Sequence, residues 1–186
     1  MEQNKIQEVA RQLAERSKNP ADNKQSEGRK GVLIVIDVKP PVADNTTLML
    51  YTVKLRAVDE QKPTVYFSLE ESNQQVCNRL IAIITGIDQQ KINDGTLTDD
   101  EWLTVDEKLP MLIDAPLYID DTPALSLANL KKRIKNLANQ NGVRLAVVDH
   151  LQELTDDGQP ANVHRIEADL KSIAEELGIT IIAVQD

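Results

Sequence analysis

Glycine is missing from the whole stretch between Gly31 and Gly86. That absence removes the usual means of cradling phosphates there, because such loops use glycine to bring backbone N–H groups against the phosphate oxygens. Aromatic residues make up only 3% of the chain, which leaves few platforms on which single-stranded bases could stack. The chain has 21 basic against 30 acidic residues and a net charge of −9. Backbone phosphates are held by clustered lysine and arginine, so weak or no direct DNA binding is expected. Cys77 is the single cysteine, which excludes an internal disulfide or a cysteine metal site. Its place in an apolar helical run predicts a buried structural thiol. His150 and His164 are too few and too separated to suggest a zinc site. No run approaches the roughly 18 apolar residues that a membrane span needs, and the opening Met1-Glu2-Gln3-Asn4-Lys5 is not a signal peptide. A cytoplasmic domain without a membrane partner is the expectation.

What is present is organised simply. Ile6, Val9, Ala10, Leu13 and Ala14 recur at helical spacing within residues 1–17, which paints one apolar stripe on an amphipathic helix. Residues 18–30 are polar, contain Pro20 and Gly28, and read as a linker. From residue 31 to 186 the pattern alternates. Strand-like runs at 32–36, 64–68, 117–119, 144–149 and 180–184 are rich in Val and Ile with little polar alternation, the mark of strands buried on both faces of a parallel sheet. Helices are expected around 47–59, 71–85, 99–109, 126–140 and 162–177, with Gly142 and Gly178 as C-terminal stops. The basic run Lys131, Lys132, Arg133 and Lys135 reads as a solvated helix face.

Between the first strand and the first long helix of the alternating region stands Lys39-Pro40-Pro41-Val42-Ala43-Asp44-Asn45-Thr46. This is where a G-x-x-x-x-G-K-[ST] loop would sit. Lys39 and Asp44 occupy its glycine positions, Asn45 its lysine, and only Thr46 keeps the hydroxyl. Pro40 and Pro41 can donate no N–H. Downstream come Phe67-Ser68-Leu69-Glu70, then Gly95-Thr96-Leu97-Thr98-Asp99-Asp100-Glu101-Trp102, then Ala115-Pro116-Leu117-Tyr118-Ile119-Asp120-Asp121-Thr122-Pro123, then Leu145-Ala146-Val147-Val148-Asp149-His150-Leu151-Gln152. In that order and spacing, residues 31–186 resemble the RecA-like C-terminal ATPase domain of the DnaB family of replicative helicases. The resemblance implies an α/β, three-layer P-loop NTPase fold with a mainly parallel sheet.

It also implies roles. Thr46 and Asp149 match the family's magnesium positions, Glu70 the glutamate that polarises the attacking water, and Lys39, Asp44, Asn45 and Thr46 the nucleotide-binding loop. Each has a structural alternative. Asp44 to Thr47 suit a helix N-cap cluster, Glu70 suits a helix N-terminal charge, with Ser68 and Glu71 as a capping box, and Asp149 can serve nearby hydroxyls. Magnitudes favour those alternatives in the loop. A carboxylate at about 4 Å from a phosphate, with an effective dielectric of about 20, repels it by about 4 kcal/mol. A micromolar nucleotide is held by only about 8 kcal/mol, and Asn45 removes the compensating cation.

The leading expectation is therefore a shortened, catalytically degenerate relative, a non-hydrolysing protein-binding accessory or regulator of a helicase ring in DNA replication. Its partner would be a DnaB-type helicase or another copy, and the isolated chain would need no cofactor. One alternative is an ATP-binding helicase subunit or fragment, using ATP and Mg, active only in a larger oligomer. Another is a self-associating structural domain. In the family, a helix preceding the ATPase domain docks on the neighbouring subunit, so Ile6, Val9 and Leu13 are candidate interface residues; folding back on the same domain is the other reading. The family continues past its last strand, where Gln185 and Asp186 end this sequence, so the strand at 32–36 is expected on an open edge beside that at 180–184.

Overall fold

The computed structural model describes residues 2–18, 31–37, 45–156 and 158–185. In chain order the elements are α1 (Glu2–Ser17), β1 (Val32–Asp37), α2 (Asn45–Val53), β2 (Thr64–Ser68), α3 (Asn73–Thr85), α4 (Gln89–Asp94), α5 (Asp99–Ile113), β3 (Leu117–Asp120), α6 (Leu127–Gln140), β4 (Leu145–Asp149), β5 (Thr155–Asp156), β6 (Gln159–Pro160), α7 (Val163–Leu177) and β7 (Thr180–Gln185). Five strands make one parallel sheet in the order β1-β7-β4-β2-β3, while β5 and β6 form a separate antiparallel pair.

Alternation along each inner strand explains why the apolar runs lack polar interruptions. Val65 and Phe67, Ala146 and Val148, Ile181 and Ala183 face one core with α6 and α7. Tyr66, Leu145 and Val147, Ile182 and Val184 face the other with α1, α2 and α3. Both faces are covered, as a parallel sheet requires. Among the described residues β1 pairs only with β7 and lies at the sheet edge, as expected. Gly31, just before it, is wedged against α7: a Cβ there would lie 1.6 Å from the carbonyl oxygen of Ala174.

Helix boundaries follow side-chain chemistry that the apolar period does not report. Helix α3 starts at Asn73, capped by Ser72 in a reciprocal pairing with Gln75. The expected Ser68–Glu71 capping box is therefore corrected: Ser68 ends β2 and its hydroxyl donates to the Glu71 carbonyl. Glu70 consequently lies ahead of the cap instead of in the first helical turn. Helix α5 is capped by Thr98 with Glu101 and runs through Pro110 to Ile113, beyond the expected end at 109. The expected helix 47–59 begins at Asn45 and changes after Val53 into a π-helical turn, Lys54–Asp59. That wider turn buries Arg56, which pairs with Glu60 at 2.5 Å. Helix α4 and the β5–β6 pair had no counterpart in the apolar pattern, being too short to carry a period.

Helix α1 lies against α2 of its own chain. Ala10, Leu13 and Ala14 are buried and Ile6 packs beside them, whereas Val9 is 44% exposed. Lys18 reaches Glu60 at 3.4 Å. Of the two readings of this helix, folding back is the arrangement in the structure. Cys77 is half-buried, a correction to the expected full burial; the fully buried residues of its helix are Val76 and Leu80. Burial still raises its thiol pKa, and its Sγ donates to Asn73 Oδ1 at 3.3 Å. The basic face of α6 is more than solvated. Lys131 pairs with Asp169, Arg133 with Asp120 and Lys135 with Glu176.

Candidate functional site

Strands β2 and β4 are adjacent, and their register sets Ser68 opposite Asp149 at their C-terminal ends. Crevices beyond the carboxyl ends of parallel strands are where α/β folds place ligands. The first turn of α2 comes to the same place, bringing Asn45, Thr46 and Thr47. Thr46 Oγ1 donates to Asp149 Oδ2 at 2.8 Å. Tyr66, two residues before Ser68 on the same face of β2, donates its Oη to that same Oδ2 at 2.6 Å. Asp149 is 1% exposed, and Thr46 and Tyr66 are buried with it. Burial first, and then the neighbouring Asp149 carboxylate, raise the Tyr66 phenol well above its usual pKa, which keeps it a neutral donor.

Titratable side chains surround these groups. His150 follows Asp149 with φ of 63°, in the left-handed region that few non-glycine residues adopt. This turn sets His150 Nδ1 3.5 Å from Asp149 Oδ1 and Nε2 2.9 Å from Glu70 Oε2. The Glu70 side chain is 64% exposed, so one carboxylate faces outward while its neighbour across the site is enclosed. Arg79 of α3 pairs with Glu71 at 2.7 Å and donates to Thr47 Oγ1, which ties α3 to the start of α2. Asn45, which the sequence resemblance aligns with the family's lysine, is 6% exposed. A short neutral amide enclosed at the start of a helix cannot extend a cation toward a phosphate.

The structure thus links Thr46 and Asp149 directly and Glu70 to Asp149 through His150, with Asn45 next to Thr46 in the first turn of α2. Lys39 and Asp44 lie outside the described residues. Ile6, Val9 and Leu13 belong to α1 and are not part of it. Tyr66, Arg79 and the role of His150 were missed by the sequence reading. A signal for Tyr66 was available: a phenol in a strand buried on both faces needs an acceptor, and Asp149 is the acidic residue that ends the neighbouring strand.

Magnesium does not fit at Asp149 Oδ2. It requires near-octahedral oxygen ligands at roughly 2.0–2.1 Å, but two hydroxyl hydrogens already point at Asp149 Oδ2, whose two lone pairs they satisfy. Among the described residues no group of three His, Cys, Asp or Glu side chains is placed to hold a metal ion.

Comparison with known proteins agrees with the fold. The family described as "DnaB-like helicase C terminal domain" matches residues 20–186. The chain is 30% identical over 169 residues to the replicative DNA helicase DnaB of Buchnera aphidicola subsp. Baizongia pistaciae, covering 88% of this chain and 36% of that protein. It is 28% identical over 158 residues to the same-named protein of Leifsonia xyli subsp. xyli, covering 83% and 34%. The chain therefore spans about a third of these relatives' length. Its fold superposes on the ATPase domain of G40P with a TM-score of 0.73 at 24% identity, over 84% of this chain and 57% of that one. A DnaB-like replicative helicase, solved in a study of its interactions with primase, gives 0.67 at 23%, over 84% and 39%.

Proposed function

This chain belongs to the DnaB-like helicase C-terminal domain family, and from that premise we propose that it is a catalytically degenerate member that binds protein without hydrolysing ATP. It acts as an accessory or regulator of a DnaB-type helicase ring, or of an oligomer of itself, in DNA replication. The observation that carries this reading is Asn45. At the family's lysine position there is a buried neutral side chain, and the segment before it supplies no glycine. Charge supports the same direction. With −9 overall and three of the four cations of the basic run on α6 closed on carboxylates, weak or no direct DNA binding follows. Exposed apolar side chains on α5, Trp102, Leu103, Met111 and Ile113, together with the open edge of β1, supply surface for a protein partner. Domain limits of 1–17, 18–30 and 31–186 go with this reading, the last as the ATPase-type unit.

The retained Thr46–Asp149 pair and the outward Glu70 favour a second reading, an ATP-binding subunit that works only inside a larger assembly. Calorimetry with ATP and Mg²⁺, beside a phosphate-release assay, separates the two. We expect no heat and no release from the wild-type protein, alone or mixed with a DnaB-type helicase made inactive by mutation. Micromolar binding with turnover that Asp149→Ala abolishes would establish the enzyme reading instead.

A further inference from the structure

We propose that Tyr66 is a built-in replacement for the divalent cation of this fold. Its hydroxyl occupies the approach to Asp149 Oδ2 that a metal bound there would need and, with the Thr46 hydroxyl on the same oxygen, makes the site a lock between α2 and the sheet. The inference rests on the family reading above but on a different residue, in the strand and not in the loop. Thr46 and Asp149 alone are compatible with a cation, since a hydroxyl and a carboxylate are both oxygen ligands. The third group changes the chemistry. Tyr66 Oη sits 2.6 Å from Oδ2, the oxygen that Thr46 also uses at 2.8 Å. For a cation to bind that oxygen, at least one hydroxyl must leave, and neither has room to do so cheaply. The Tyr66 ring is held in the core with Leu145, Val147 and Ile182, and Thr46 is fixed in the first turn of α2.

The replacement also accounts for how an acidic side chain survives at 1% exposure. A buried carboxylate needs either an opposite charge or several donors. Two hydroxyls from two different elements supply those donors, so the N-terminal turn of α2 stays fastened to β2 and β4 without a metal. Hydrogen bonds to a charged acceptor are among the stronger ones, which makes the cluster a point of fold stability where the family has its catalytic centre.

The test uses the full chain without nucleotide. Wild type, Tyr66→Phe and the double variant Tyr66→Phe with Asp149→Asn are melted in EDTA and in millimolar Mg²⁺, and Mn²⁺ binding is followed by electron paramagnetic resonance. Wild type should melt at the same temperature in both buffers and leave the Mn²⁺ signal free. Tyr66→Phe should melt lower in EDTA by about 3–10 °C, recover part of that with Mg²⁺, and acquire a Mn²⁺ site that the double variant lacks. A metal-dependent rise in the wild-type melting temperature would overturn the proposal, as would a Tyr66→Phe protein indifferent to metal or as stable as wild type. Binding of ATP in EDTA, measured in parallel, would refute the loop reading and leave the Tyr66 lock standing.

Discussion

Replacing Leu13 by alanine tests whether α1 belongs to its own domain in solution. Leu13 is 7% exposed and packs with Ala10 and Ile6 against α2. Truncating a buried leucine costs about 2–5 kcal/mol, with the low end expected where neighbours can collapse. Alanines 10 and 14 flank this site, so there is little bulk around it to collapse, but α1 borders solvent; about 2–3 kcal/mol is the reasonable figure. In a domain of this size each kcal/mol moves the melting temperature by about 2–4 °C, which gives a loss of roughly 4–12 °C. A ceiling applies, because α1 can undock before the sheet unfolds and its mutation then costs no more than the docking free energy. Thermal unfolding of wild type and Leu13→Ala over a wide concentration series is the assay. An intramolecular contact gives melting temperatures independent of protein concentration, whereas docking on a second copy raises them with concentration by mass action. A concentration-dependent wild type whose dependence disappears in Leu13→Ala would refute the intramolecular packing and restore α1 as a subunit contact.

Two further outcomes follow from the fold. Gly31→Ala should destabilise the protein by about 3 kcal/mol or more, seen as a lowered urea midpoint; Ala174→Gly should not rescue it, because the obstructing atom is the backbone carbonyl of Ala174. Asp120 gives a pH dependence: burial opposes ionisation, but hydrogen bonds from Thr122 and Arg133 hold its carboxyl below the usual carboxylate range. With the folded pKa depressed, its contribution is fully present above the unfolded value of about 3.9 and is lost as pH falls through the folded one. Urea titrations from neutral to acid pH should show Asp120→Asn less stable than wild type near neutrality, the two converging as the solution is acidified. Curves that stay parallel would remove Asp120 from the acid response.

Most of the fold was legible because its causes are local and repeat along the chain. All five main strands were found from apolar runs, and the three inner ones, β2, β4 and β7, are the ones buried on both faces. The helix at 1–17 was found from its apolar period and the five long helical runs after residue 31 from their alternation with the strands, and β1 was placed at the edge from the family resemblance. Failures fell where one side chain's hydrogen bonds, and not a period, determine the outcome. Ser72 took the cap expected of Ser68, Pro110 was accommodated inside α5, and the π-helical turn after Val53 formed around the buried Arg56.

The candidate site divides along the same line. Sequence alone determined that no glycine stands between Gly31 and Gly86 and that Asn45 occupies the position the resemblance assigns to lysine, because such features reside in residue identity. It also placed Asp149 at the end of a strand and Thr46 at the head of a helix. That Thr46 and Tyr66 share one oxygen of Asp149, and that His150 bridges toward Glu70, only the tertiary structure could decide. Those contacts join residues 103 and 83 positions apart. They depend on β2 and β4 being neighbours in register and on α2 being carried across the sheet to meet them. A hydrogen bond needs placement within a few tenths of an ångström, and that precision comes from the packed cores on both faces, which no local pattern encodes.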